Sequence, residues 1–182
     1  MALLITYVFI ALGFSFLCSI AEAVILSVNT PYITLLIRDG KPAGTVLKRM
    51  KSDINRTLAA ILTLNTIAHT VGAAGAGAQA AQVFGSGWVG VTSAVLTFLI
   101  LVFSEIIPKT LGAYYWKQLA PATAYVLQVM IWLLWPFVKM AEFITRGLSH
   151  GPTLTGFNRD ELAAMADISA AEGLLDQEET HI

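Results

Sequence analysis

Long apolar runs separated by short polar segments dominate the chain. Residues 3–28 form an apolar run whose only charged residue is Glu22, and residues 57–104 contain no charged residue at all. The second run is long enough for two helices, because one bilayer crossing takes about 20 apolar residues, and its Gly- and Gln-containing stretch near 79–87 predicts an outside turn. The pattern predicts three transmembrane helices, at 3–28, 57–77 and 88–113.

The charges between the first two apolar runs set the expected orientation. Six of the 11 basic residues lie between Arg38 and Arg56, where glycines and a proline break the segment into short helical pieces. Basic residues next to a membrane span mark the cytoplasmic side. We therefore expect a cell-membrane protein with several crossings and an N-terminus outside.

A fourth apolar run, at 119–138, is ambiguous. Lys117 precedes it, and Lys139 and Arg146 follow it, so both of its flanks carry charges of the cytoplasmic type. A full crossing would place Arg146 outside, whereas a helix that lies at the inner interface, or re-enters from it, satisfies both flanks. Hydropathy alone leaves both alternatives open.

Residues 158–179 differ in character because they hold seven acidic residues and one arginine. Asn158 and Glu161 have the spacing of a capping box, and Gly173 predicts a break between two helices. We expect domain boundaries of 1–150 for the membrane domain and 151–182 for a cytoplasmic acidic helical hairpin, after which the natural sequence continues. The predicted fold class is an all-α membrane protein.

Composition supports this class and excludes others. Hydrophobic residues make up 56% of the chain and charged residues 13%, and the mean hydropathy is +0.70. Soluble domains average about 45–50% hydrophobic residues and about 25% charged residues. The single cysteine, Cys18, excludes a disulfide framework and a cysteine metal cluster. No hydrolase or phosphate-binding motif occurs, so we do not expect an enzyme. The basic loop is short and lies next to the membrane, so we do not expect a nucleic-acid-binding protein.

Ionisable and polar side chains within the predicted spans are the candidate site, because a charge inside a membrane is costly. Pro108 cannot donate a hydrogen bond to the carbonyl of Ser104, which leaves a further oxygen available. Hard cations such as Mg²⁺ and Na⁺ take oxygen ligands of these kinds, although ordinary hydrogen bonds between helices are the alternative. The candidate ligands are Ser19, Glu22, Asn65, His69, Ser104 and Glu105.

Three short motifs, one in each predicted span, carry a family resemblance. Residues 16–23 (FLCSIAEA) resemble the "FFSxxExA" element of the CNNM/CorC family of Mg²⁺ transporters, 64–69 (LNTIAH) its "GNxxxN" element, and 104–109 (SEIIPK) its "GEIIPK" element. In the second and third elements, the chain departs from the family where the family often has Gly, Asn and Gly. These departures are Leu64, His69 and Ser104.

The resemblance implies a fold and a set of partners. It implies a homodimer of three-helix transmembrane (DUF21) domains in the lipid bilayer, a belt-like juxtamembrane helix, and an acidic bundle that leads to nucleotide-binding CBS domains outside these 182 residues. It also implies Mg²⁺ ligation by Glu105, Asn65 and Ser19. Mg²⁺ prefers oxygen, which makes His69 a weaker candidate. Residues that break helices or gate the site are expected at Pro108, Lys109 and Gly72.

Two functions remain open from the sequence. The first is Mg²⁺ export, with exchange for Na⁺ as the candidate driving reaction and a dehydrated Mg²⁺ site between the helices. The second is a non-transporting membrane Mg²⁺ sensor or scaffold that controls other channels and uses the same polar cluster as a structural network.

Overall fold

The structure is a computed structural model that describes residues 1–145. Within this range the chain is helical, with short helices between longer ones. In chain order the α-helices are α1 (Ala2–Ser27), α2 (Thr30–Arg38), α3 (Pro42–Ser52), α4 (Ile54–Phe84), α5 (Val89–Leu99), α6 (Ile107–Tyr114), α7 (Trp116–Leu133) and α8 (Trp135–Thr145). A 3₁₀-helix at Ser86–Trp88 precedes α5, and a π-helix at Ile100–Ile106 joins α5 to α6.

Among residues 1–145, three helices are long and apolar enough to span a membrane, as the hydropathy pattern predicts. They are α1, α4 and the composite helix Ser86–Tyr114, which we call the third span. Helix α7 is not among them. The fold is therefore the expected all-α membrane fold of three spans with an additional flanking helix.

The second span is longer than the sequence predicts. We expected it to end near residue 77 and the turn to occupy 79–87, but α4 continues to Phe84. Its glycines stay helical because small residues let the helix approach α1 closely. The chain reverses only at Gly85, whose φ of 90° lies in the left-handed region that favours glycine.

Helix α1 lies at the centre of the described fold. It packs against α4, the third span and α7, and α7 also packs against α3 and α4. Buried side chains from α1, α2, α3 and α7 share one apolar core, represented by Ile25, Leu36, Leu47 and Leu127. Helix α7 is thus packed with the basic α2–α3 segment at the end of α1, the position expected of a juxtamembrane helix.

Polar side chains cap the helices at this end of the fold. Asn29 Oδ1 accepts a hydrogen bond from the first turn of α2, and Asp53 Oδ1 accepts one from the first turn of α4. Lys51 Nζ donates to the carbonyls of Ile25 and Leu26, at 3.0 and 3.2 Å, and so satisfies the C-terminus of α1. Burial lowers the pKa of Lys51.

The acidic hairpin predicted at 158–179 and the domain boundary predicted after residue 150 lie outside the described residues. Arg146, one of the charges that made the run 119–138 ambiguous, lies outside them as well.

Candidate functional site

The antiparallel register of α1 and α4 is set by three successive contacts. A Cβ added at Gly75 would fall 2.5 Å from Tyr7 Cδ1, one added at Gly72 would clash with Ala11, and Ser15 Oγ lies 2.6 Å from His69 Nε2. Each contact moves about one turn forward along α1 and one turn back along α4. One further turn, about 6 Å for four residues, brings Ser19 level with Asn65.

Ser19 and Asn65 present unused oxygen atoms between these helices. Ser19 Oγ and Asn65 Oδ1 are both buried, and neither has a hydrogen-bond partner within the described part of the chain. An unsatisfied buried polar atom costs about 1–3 kcal/mol, so native proteins keep few of them. Two such oxygens at one level of two packed helices are therefore available as ligands for a cation.

The third span runs parallel to α1 and is held against it by small residues. Ser104 Oγ donates to the Leu12 carbonyl at 3.2 Å. Two turns further on, a Cβ added at Gly112 would lie 2.9 Å from Ala23 Cβ and 3.0 Å from the Ile20 carbonyl oxygen. Ser104, Gly112 and the intervening Pro108 are all buried, so the SEIIPK motif faces α1.

The π-helix places Glu105 in an irregular turn. The N–H of Ile107 donates to the carbonyl of Val102, five residues back, and Pro108 follows in the first turn of α6. Such π-turns often occur at functional sites. The Glu105 side chain is half-buried, and its carboxylate has no ion pair or hydrogen bond among residues 1–145.

Glu22 has a basic partner that the sequence analysis did not predict. Lys109 Nζ lies 3.3 Å from Glu22 Oε2. In the sequence, the acidic residue closest to Lys109 is Glu105, four residues earlier. The parallel register of α1 and α6 instead brings Lys109 to Glu22 on the neighbouring helix.

The six candidate ligands therefore fall into two groups. Three already have partners: His69 bonds to Ser15, Ser104 to Leu12, and Glu22 to Lys109. The other three have unused oxygens, and they are Ser19, Asn65 and Glu105.

Neutral oxygens would have to supply most of the ligands of a cation site among the described residues. Within residues 1–145 no group of three or more His, Cys, Asp or Glu side chains is placed to hold a metal. Ser15 was missed as a site residue, although its position four residues before Ser19 puts it on the same face of α1. Its bond to His69 leaves that imidazole less available as a ligand.

A three-span helical bundle with polar atoms between its helices defines the class: this is a multi-pass membrane protein. The chain belongs to a family described as the cyclin M (CNNM) transmembrane N-terminal domain, which matches residues 5–179.

Similar proteins occur in bacteria and plants. The chain is 34% identical over 176 residues to the UPF0053 protein sll1254 of Synechocystis, which covers 97% of this chain and 51% of that protein. It is 25% identical over 128 residues to the UPF0053 inner membrane protein YfjD of Escherichia coli, covering 70% of this chain and 30% of that protein. A chloroplastic DUF21 domain-containing protein of Arabidopsis thaliana, At1g55930, is 25% identical over 175 residues, 93% of this chain and 27% of the relative. The chain thus spans about half the length of the first relative and less of the others.

Proposed function

We propose that this domain exports Mg²⁺ across the cell membrane, with Na⁺ as the candidate exchange ion. The observation that carries the proposal is the pair of buried, unpartnered oxygens of Ser19 and Asn65 at one level of α1 and α4. The sequence resemblance of the three motifs to CNNM/CorC Mg²⁺ transporters points to the same ion. Mg²⁺ fits this chemistry because it is bound by oxygen atoms and tolerates no bulky soft ligand.

Each unpartnered group has a role in the proposed site. Glu105 supplies the negative charge, and Ser19 and Asn65 supply neutral oxygens. The carbonyl of Ser104 adds a further oxygen, because Pro108 has no N–H to bond to it. The Glu22–Lys109 pair leaves this part of the interface electrically balanced, so the charge on the ion is met mainly by Glu105.

The proposed assembly and orientation follow the sequence expectations. Six basic residues between Arg38 and Arg56 favour a cytoplasmic position for the α2–α3 segment, with the N-terminus outside. A homodimer and nucleotide-binding CBS domains beyond residue 182 are part of the proposal through the family resemblance. The exposed apolar side chains of the spans, including Phe9, Val95 and Phe98, suit a lipid or subunit contact.

Mg²⁺ flux into proteoliposomes that enclose a Mg²⁺-sensitive dye tests the proposal. Glu105→Gln keeps the size of the side chain and removes its charge, so we expect it to abolish both Mg²⁺ binding and flux. Asp39→Asn is the matched control, because Asp39 is an exposed carboxylate outside the spans and its loss should leave flux unchanged. Equal flux in Glu105→Gln and wild-type protein would refute the ligand assignment.

The sensor alternative gives a different result in the same experiment. A sensor would bind Mg²⁺ in a manner that depends on Glu105 and would carry no flux in wild-type proteoliposomes. Isothermal titration of Mg²⁺ into the same preparations separates binding from transport. Binding without flux would replace the export proposal with the sensor, and absence of both would reject the site.

A further inference from the structure

Lys109 has two carboxylates near it, one on a neighbouring helix and one on its own span. Its Nζ lies 3.3 Å from Glu22 Oε2 on α1. Glu105 precedes Lys109 by four residues, in the last turn of the π-helix that α6 follows without a break. Side chains at this spacing are neighbours on a helix, and an acidic residue before a basic one is the favoured order. Lys109 therefore has an alternative partner about one turn away.

The choice between these partners decides whether the Glu105 carboxylate is free. In the structure this carboxylate has no ion pair or hydrogen bond among residues 1–145, and it is the group that supplies the negative charge in the proposed Mg²⁺ site. An ammonium group beside Glu105 would neutralise the carboxylate and repel a divalent cation from the same place. Pairing with Glu22 removes Lys109 as a competitor of the ion.

Burial and close packing favour the pair with Glu22. The Glu22 side chain is 23% exposed and that of Lys109 45%, so the pair is partly withdrawn from water, where opposite charges attract more strongly than at an open surface. About one turn after Lys109, a Cβ added at Gly112 would lie 2.9 Å from Ala23 Cβ. The backbones of α6 and α1 are thus in close contact beside the pair, which holds the Glu22 carboxylate next to Lys109.

The lysine side chain can exchange one partner for the other. Its aliphatic stem is flexible, and its ammonium group is a point charge that rotates to meet an acceptor. A move from Glu22 to Glu105 replaces one ion pair by another. The balance between the two arrangements is therefore set by the difference between two ion pairs, and removing the charge of Glu22 would shift Lys109 to Glu105.

We propose that Glu22 is a positioning residue, which holds Lys109 away from Glu105 and so keeps the Glu105 carboxylate open to Mg²⁺. This inference deepens the proposed function and rests on it, because it takes Glu105 as the residue that binds the ion. The charge of Glu22 acts through Lys109 and not by contact with the ion. That role differs from the role of a ligand and from that of an ion pair that only joins two helices.

Isothermal titration of Mg²⁺ into the purified full chain compares the two ways of breaking the pair. Glu22→Gln frees Lys109 to bind Glu105, so we expect Mg²⁺ affinity to fall about fivefold, the upper value for an ion pair that is not fully buried. Lys109→Gln breaks the same pair but leaves no ammonium group, so its affinity should equal or exceed that of the wild-type protein. The double variant Glu22→Gln/Lys109→Gln should regain the affinity that Glu22→Gln loses.

The effect of Lys109→Gln in two backgrounds separates this role from a general effect of charge. We expect it to raise Mg²⁺ affinity by a larger factor in the Glu22→Gln protein than in the wild-type protein, whereas independent charges would give the same factor in both. Lys48→Gln is the matched control, because Lys48 is an exposed lysine outside the spans and should act equally in both backgrounds. Glu22→Asp keeps the negative charge and should retain most of the affinity.

Two results of these titrations would overturn the proposal. Equal factors for Lys109→Gln in the two backgrounds would mean that Glu22 and Lys109 act independently. A fall in affinity in Lys109→Gln as well as in Glu22→Gln would mean that the pair only holds α6 against α1. Lys109→Gln decides this second point alone if Glu22→Gln does not fold.

Carbodiimide cross-linking locates Lys109 in the absence of Mg²⁺. The reagent joins a carboxylate to an amine where the two groups are in contact, and mass spectrometry of the digested protein identifies the linked residues. We expect a Glu22–Lys109 link in the wild-type protein and a Glu105–Lys109 link in Glu22→Gln. Absence of the Glu105–Lys109 link from Glu22→Gln would overturn the proposal. Failure of the wild-type protein to bind Mg²⁺ would instead reject the proposed function, and the links would still decide where Lys109 lies.

Discussion

The contact between Gly112 and α1 allows a quantitative test of the helix register. In Gly112→Ala the new Cβ would lie 2.9 Å from Ala23 Cβ and 3.0 Å from the Ile20 carbonyl oxygen. Carbon atoms pack at about 3.5–4.0 Å, so α6 must move away from α1 by about 0.5–1 Å. The Ile20 oxygen belongs to a helix backbone and cannot rotate aside.

The expected cost combines two opposing effects. Overpacking in a close-packed interface costs about 1–3 kcal/mol, and replacing glycine by alanine within a helix returns about 0.5–1 kcal/mol. The net loss for Gly112→Ala is then up to about 2.5 kcal/mol, or a fall in Tm of up to about 10 °C for a chain of this size. Thermal unfolding of the purified protein in detergent, followed by tryptophan fluorescence, measures this shift.

Two further variants make the test specific. Gly90→Ala alters the same span at a position where an added Cβ meets nothing within 4 Å, so only the helix-propensity gain applies and Tm should rise by about 1–4 °C. Ala23→Gly removes one of the two close contacts of the new Cβ, so it should lower Tm less in the Gly112→Ala protein than in the wild-type protein, where only its helix-propensity cost applies. A rise in Tm for Gly112→Ala, or an equal effect of Ala23→Gly in both proteins, would refute the register described for α1 and α6.

Two other predictions concern the segments outside the spans. Tyr32 donates a hydrogen bond to the Lys117 carbonyl at 2.5 Å, and burial raises the Tyr32 pKa above its usual value of 10.0, so the stabilisation from this phenol is complete below pH 10.0 and is lost as pH rises through the raised pKa. Tyr32→Phe should therefore lose about 0.5–1.5 kcal/mol of stability at neutral pH, and its stability should fall less steeply as the pH is raised with alkali. Alkaline unfolding that is the same in the variant and the wild-type protein would contradict this role. For topology, single cysteines at the exposed positions Gln118 and Ser86, in a Cys18→Ser background, should react with an impermeant thiol reagent from opposite sides of the membrane, and labelling of both from one side would contradict the proposed orientation.

The number of spans and the helical class could be predicted from the sequence, whereas their boundaries and contacts could not. Hydropathy identifies α1 directly because it is an uninterrupted apolar run. The sequence predicts the end of α4 too early, because Gly72, Gly75 and Gly77 weaken a helix when only the local sequence is considered. At Gly72 and Gly75 the helix packs closely against Ala11 and Tyr7 of α1, and no local sequence pattern contains this contact.

The candidate site could also be predicted only in part: the sequence identifies its residues but not their contacts. The motifs identify Ser19, Asn65 and Glu105 because polar groups in an apolar run are conspicuous. The partner of Lys109 could not be predicted, since Glu105 is close in sequence but Glu22 is close in space.

The close approach of α1 and α4 at Gly72 and Gly75 has a consequence for how an ion reaches the proposed site. Tyr7 and Ala11 fill the groove so completely that an added methyl group would overlap them, which leaves no room there for a water molecule. In this conformation the groove between the two helices is therefore sealed beside the N-terminal half of α1. A hydrated ion has no path along that groove to the level of Asn65, and its entry requires either another face of the bundle or separation of these two helices.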